Sequence, residues 1–135
     1  VAAIGEGIGG VQVQRLRQRV VAKVIERLPV ALRAIGGFHS GLKTARREDT
    51  AANKARLLLC LGDADPLIPS EVRDGFMDNV RDAKLDAQML LFSGVGHSFT
   101  NPDAEAFGVA GCHYDATADR RSWAAMLALF DEAFA

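Results

Sequence analysis

Two cysteines, three histidines, one tryptophan and one tyrosine in 135 residues leave few side chains with which to build specialised chemistry. Cys60 falls inside an apolar run and Cys112 in a loop, so no structural disulfide is expected, and a reducing, cytoplasmic setting fits. His39, His97 and His113 do not recur with cysteine or acidic partners at metal-ligand spacing, so no metal or other cofactor is expected. No apolar run approaches the roughly 20 residues a spanning helix needs, and no basic-then-apolar leader opens the chain, so no membrane association is expected. A dominant charge sign is lacking too. Sixteen basic against 17 acidic residues leave a net charge of −1, which gives no global attraction to nucleic acid. The row Arg15, Arg19 and Lys23, with Arg46 and Arg47, reads as a solvated face. Internal repeats, low-complexity tracts and linkers are absent as well. With 49% apolar and 24% charged residues, 1–135 reads as one globular domain. A domain of that size buries about two-thirds of its unfolded surface.

What the chain does have is a short, dense segment at 56–69, reading RLLLCLGDADPLIP. Its unbroken apolar run, 57–61, is that of a strand buried on both faces. The run ends in Gly62-Asp63-Ala64-Asp65, and Pro66 and Pro69 then force a turn, so carboxylates are presented at the strand's carboxyl end. In parallel α/β sheets that end is where ligands bind. A second strand, 87–92, runs into Ser93-Gly94-Val95-Gly96-His97-Ser98-Phe99. An acid after one strand and a histidine after the next form the back half of a nucleophile–histidine–acid triad. Asp65 and His97 are therefore the candidate acid and base.

The rest of the chain supplies an α/β frame. Val1 to Ile4 is a short β-prone run entering Gly5-Glu6-Gly7-Ile8-Gly9-Gly10, a glycine-rich turn that resembles a dinucleotide fingerprint only imperfectly. Residues 11–28 read as an amphipathic helix with Val13, Leu16, Val20, Val24 and Leu28 on one face. Residues 31–38 form a second candidate strand, weakened by Gly36-Gly37 and leading to His39-Ser40. Residues 44–54 carry no apolar stripe and read as loop or short exposed helix. Ser70 is expected to cap a helix whose buried row is Val72, Phe76 and Val80. Residues 98–117 form a long loop of the kind that serves as lid or binding wall. The chain closes on a helix with Trp123, Met126, Leu127, Phe130 and Phe134 along one face. This alternation predicts a parallel sheet with helices against it.

Three segments, GDADPLIP, GVGHSFTNPDA and YDATADRRSWAAMLALFDEAF, resemble the corresponding segments of the dienelactone hydrolase family of α/β-hydrolases. VAAIGEGIGG and AIGGFHSGL are similar to that family's nucleophile-elbow strand and the strand after it. The resemblance implies a truncated α/β-hydrolase fold, a four-stranded parallel sheet equivalent to strands 5–8 of the family's eight. It implies Asp65 as triad acid, ahead of Asp63, and His97 as base. Glu6, Ile8, His39, Ser40 and Phe99 are the expected binding residues. The family's elbow, G-x-(Cys or Ser)-x-G, falls on Gly5-Glu6-Gly7-Ile8-Gly9, so the nucleophile position is Gly7, which has no side chain to attack with. Residues 10–38 also depart from the family, being longer and rich in Gln, Arg and Val.

Two function classes follow. One is an ester or lactone hydrolase fragment with acid and histidine kept, the nucleophile lost, and weak or no hydrolysis alone. The other is a non-catalytic dimeric binding or interaction module. In either, Val1 to Ile4 would be a raw edge where the family has a central strand, and a strand edge is a template for pairing. A homodimer through that edge, with the first helix adding apolar contacts, is expected, and a small ester or lactone is the expected ligand class.

Overall fold

In the computed structural model the described residues are 2–6, 32–42 and 54–135. The apolar run at 57–61 lies within strand β3 (Arg56–Gly62), whose residues Leu58 to Gly62 are all buried. Its side chains alternate between two layers, as the period of two demands. Leu58 and Cys60 join Phe38, Val95, Phe99, Ala118 and Met126 on one face. Leu59 and Leu61 join Leu42 and Ile68 on the other.

Strand β1 (Ala2–Glu6), β2 (Ala34–Phe38), β3 and β4 (Ala87–Phe92) form a sheet of order β1-β2-β3-β4. All three pairings between these neighbours are parallel. The parallel sheet with flanking helices is that of a truncated α/β-hydrolase-like fold. Strand β1 ends two residues beyond the apolar run Val1 to Ile4, because the ladder with β2 continues to the pair Glu6–Phe38. Strand β2 begins at Ala34 rather than residue 31. Gly36 does not break β2. A Cβ there would lie 3.3 Å from Met126 Cγ, so the missing side chain is what lets a helix lie close on the sheet.

Helix α1 (Ser70–Asp82) covers the Leu59–Leu61 face with Val72 and Phe76, and its Val80 is buried. Ser70 is its first residue and not its cap. The carbonyl of Pro69 already accepts from the amides of Val72 and Arg73, so Pro69 occupies the cap position and makes no side-chain cap bond. Helix α2 (Ala116–Phe134) covers the other face, and Asp115 caps it by accepting from the amides of Thr117 and Ala118 at 2.9 and 2.8 Å.

The apolar stripe expected on α2 is only half buried. Its contact line runs through Ala118, Ser122, Met126 and Ala133, with Leu129 and Phe130 packed beside it. Trp123, Leu127 and Phe134 keep 49%, 47% and 45% of their surface exposed. Small residues bring α2 close to the sheet and turn this larger row to its flank. That row lies on the β2 side: the Arg33 guanidinium sits 5.3 Å over the Phe134 ring, whereas Glu132 reaches Arg56 at the start of β3. No helix of the described residues is long and apolar enough to cross a membrane. The amphipathic segment 11–28 and all but Lys54 of 44–54 lie outside the described residues.

Candidate functional site

The carboxyl ends of β2, β3 and β4 carry the polar residues of interest. After β3 the chain turns through 63–69, and this turn fixes the Asp65 carboxylate from behind. Asp65 Oδ1 accepts from the Leu67 amide at 2.8 Å, and the Asp65 carbonyl accepts from Ile68. Oδ2 is left to face the neighbouring loop, where it accepts from His97 Nδ1 at 2.7 Å. Both side chains are buried, so the bond is shielded from water and from salt. Asp63, the other acid of the turn, is exposed and accepts from the Gly94 amide at 2.6 Å, which ties the β3 turn to the β4 turn.

His97 is held from its backbone as well. Its amide donates to the Gly111 carbonyl at 2.7 Å, and its carbonyl accepts from the His113 amide at 3.2 Å. A parallel bridge thus pairs His97 with Cys112. The Gly96 amide donates to His113 Nε2 at 3.3 Å. The long loop after β4 is therefore ordered by its return: it leaves at Ser98, makes a short 3-10 turn at Ala104–Phe107, and comes back to clamp residue 97. A Cβ at Gly96 would run into the Gly111 carbonyl and the His113 ring, so the clamp needs glycine there.

His39 reaches the same place from β2. It is 1% exposed, its ring lies edge-on to His97 with centroids 5.2 Å apart, and its Nε2 is hydrogen-bonded to Thr100 Oγ1 at 2.8 Å. Burial first, and the neighbouring His97 second, lower its pKa to about 4 against the opposing pull of Asp65 and of its own backbone carbonyl. His39 is therefore a neutral imidazole at physiological pH.

Two further features gather at this place. His39 Nδ1 and His97 Nε2 are buried here without a hydrogen-bond partner among the described residues, and Ser98 Oγ has only the Cys112 thiol beside it. Such atoms each carry a desolvation cost and are rare in native interiors. Two of the three described non-glycine residues at positive φ are also here, His39 at 37° and Ser98 at 60°. Strain of this kind clusters where function over-determines the backbone.

Of the other expected binding residues, Ser40 follows directly and its hydroxyl donates to the Phe38 carbonyl. Phe99 is fully buried in the α2-facing core against Phe92 and His39. Glu6 ends β1 one pairing step before His39, and Gly7 and Ile8 lie outside the described residues. Cys60 is a core residue whose thiol burial pushes up to about 12. Cys112 is nearer the pair, and its thiol is also pushed up, by burial and then by the Asp65 charge, with a Ser98 contact opposing. Neither is poised as a thiolate. Among the described residues no group of three or more His, Cys, Asp and Glu side chains could hold a metal ion. Sequence reasoning did not place Thr100, Cys112 or His113 beside His97. All three lie in a loop without period, and only the fold brings them back to His97.

A parallel α/β sheet that joins a buried histidine to a buried aspartate at its carboxyl end defines the α/β-hydrolase class. The chain belongs to the dienelactone hydrolase family, whose pattern its residues 18–134 match. It is 38% identical to a dienelactone hydrolase-like promiscuous phosphotriesterase from metagenomic libraries, P91, with a TM-score of 0.78. It is 37% identical to m3DLH at the same TM-score. Each match covers 99% of this chain and 52% of the other. An uncharacterised Caenorhabditis elegans protein, K02A2.1, is 36% identical over 74 residues, which are 55% of this chain and 47% of that protein. The chain thus spans about half the length of these relatives.

Proposed function

We propose that this chain carries the acid–base half of an ester- or lactone-hydrolysing centre of the dienelactone hydrolase type. The observation that carries the reading is the 2.7 Å bond between His97 Nδ1 and Asp65 Oδ2, buried on both sides. Bonded in this way, the carboxylate fixes the imidazole and stabilises the imidazolium formed when Nε2 takes a proton. Nε2 is the atom left without a partner.

With Gly7 at the nucleophile position, the available route is general-base attack by water. The water oxygen bonds to the acyl carbon as its proton passes to His97 Nε2. The ester C–O bond then breaks, and the departing alkoxide takes that proton back. Loss of a triad nucleophile costs about 10⁶ in turnover, whereas general acid–base catalysis supplies about 10² to 10⁴. Hydrolysis by the chain alone is accordingly weak or nil.

A second reading, a non-catalytic dimeric binding module, is favoured by Gly7 itself. In both readings the chain is a homodimer joined at β1, the outer strand of the described sheet, in a reducing, cytoplasmic compartment that suits two free cysteines. Hydrolysis of p-nitrophenyl acetate by the wild type, His97→Ala and Gly7→Cys separates the two. Wild-type turnover that disappears in His97→Ala supports the hydrolase, and turnover that appears only in Gly7→Cys supports a module with a latent site. A p-nitrophenyl phosphotriester belongs in the same assay, given the activity for which P91 is named.

A further inference from the structure

His39 is more costly than its place at the end of a strand requires. A non-glycine residue at φ 37° is strained, and its buried Nδ1 has no partner among the described residues. Its amide bonds the Cys60 carbonyl of β3, whereas the described contacts of its ring lie on the loop that bears the base. The imidazole stands edge-on to His97, edge-on to Phe99 at 5.4 Å, and bonded to Thr100 Oγ1. Those partners are positions 97, 99 and 100 of one segment.

The His97 ring is anchored by its own Cβ–Cγ bond and by the bond from Nδ1 to Asp65. Asp65 comes from the β3 turn and His39 from the end of β2, so the two restrain the ring from different elements. His39, itself pinned through Thr100, adds a further restraint on the tilt of the ring and so on where Nε2 points.

We infer that His39, locked by Thr100, is a positioning residue that sets the ring orientation of His97. The inference rests on the reading of His97 as the working base. His39 makes no bond to the proton in flight. Its neutrality serves the same end, since a charged neighbour would oppose formation of the His97 imidazolium.

The test is nitrogen and proton NMR of the histidine rings in the wild-type chain, His39→Phe, Thr100→Val and Thr100→Ser. The His97 Nδ1 proton, in a short bond to a buried carboxylate, is a resolved downfield reporter. His39→Phe and Thr100→Val are expected to shift and broaden it, whereas Thr100→Ser, which keeps the hydroxyl, leaves it in place. Thr100 is only partly buried, so its variants decide the matter if His39→Phe fails to fold. An unchanged His97 signal in Thr100→Val overturns the inference, even if the variant melts earlier. In Gly7→Cys, adding Thr100→Val should lower kcat about tenfold at constant KM, and a rise in KM alone counts against positioning. If no form hydrolyses p-nitrophenyl acetate, the hydrolase reading falls and the ring signal still decides the role of His39.

Discussion

Acid should destabilise this protein through His39 before most carboxylates are touched. An unfolded histidine titrates near 6.5, but burial and the neighbouring His97 hold the folded His39 at about 4. Between those values the unfolded chain binds a proton that the folded chain refuses, so stability is full above pH 6.5 and falls as the pH falls toward 4. The groups facing the ring are His97 and Asp65. For one such group the loss is about 2 kcal/mol at pH 5 and about 3 kcal/mol at pH 4. Urea unfolding followed by circular dichroism at pH 7, 6, 5 and 4, in the wild type and in His39→Phe, isolates this contribution from the titration of other groups. The wild type should lose those amounts beyond what the variant loses. Because total stability is of order 5–15 kcal/mol, the effect is large enough to measure. Parallel stability curves for the two proteins between pH 7 and 5 would refute the argument, and would mean that water reaches the His39 ring.

Four further outcomes are expected. Gly96→Ala should cost about 3 kcal/mol by thermal or urea unfolding, because the new methyl meets a backbone carbonyl that cannot move aside. Asp65→Ala strands the Leu67 amide and the His97 Nδ1 proton together, which should cost about 2–4 kcal/mol and abolish any turnover that depends on His97. Both cysteines should react slowly with a thiol reagent at pH 8 in the native chain and at once in urea, since burial raises both thiols. Light scattering at micromolar concentration should give a dimer that Trp123→Lys weakens, and a wild-type monomer would remove the proposed association through the β1 side of the sheet.

The strands and the meeting of Asp65 with His97 could be read from the sequence because both rest on local signals. An apolar run followed by a glycine-bounded turn fixes a buried strand and what stands at its end. What could not be read depends on return paths. Nothing at Cys112 or His113 says that this stretch comes back to bridge residue 97. The α2 stripe misled for a related reason. Helical period tells which residues share a face, but the line of contact runs through the small residues Ala118, Ser122 and Ala133 together with Met126, and Trp123, Leu127 and Phe134 are left on the flank. Ser70 misled because the rule for caps ranks side chains, whereas here the Pro69 carbonyl had already begun the helix. His39 was marked as a binding residue on its position after a strand. Its fastening to Thr100, 61 positions away, has no sequence signature.

The acid–base pair is nearly self-contained, and this bears on what its presence means. The bonds that hold Asp65 come from Leu67, Ile68 and His97, and those that hold the His97 backbone come from Gly111 and His113. All lie between residues 65 and 113, so among the described residues the pair is held by the β3 turn, the loop after β4 and the return of that loop. The 2.7 Å bond alone is thus compatible with both the hydrolase and the binding module. His39 comes from the end of β2, the strand next to β1, and its buried ring packs edge-on to Phe99 and to His97 while bonding Thr100. The fastening of His39 to Thr100, more than the Asp65–His97 bond, is therefore the contact whose disruption tests the positioning role proposed for His39.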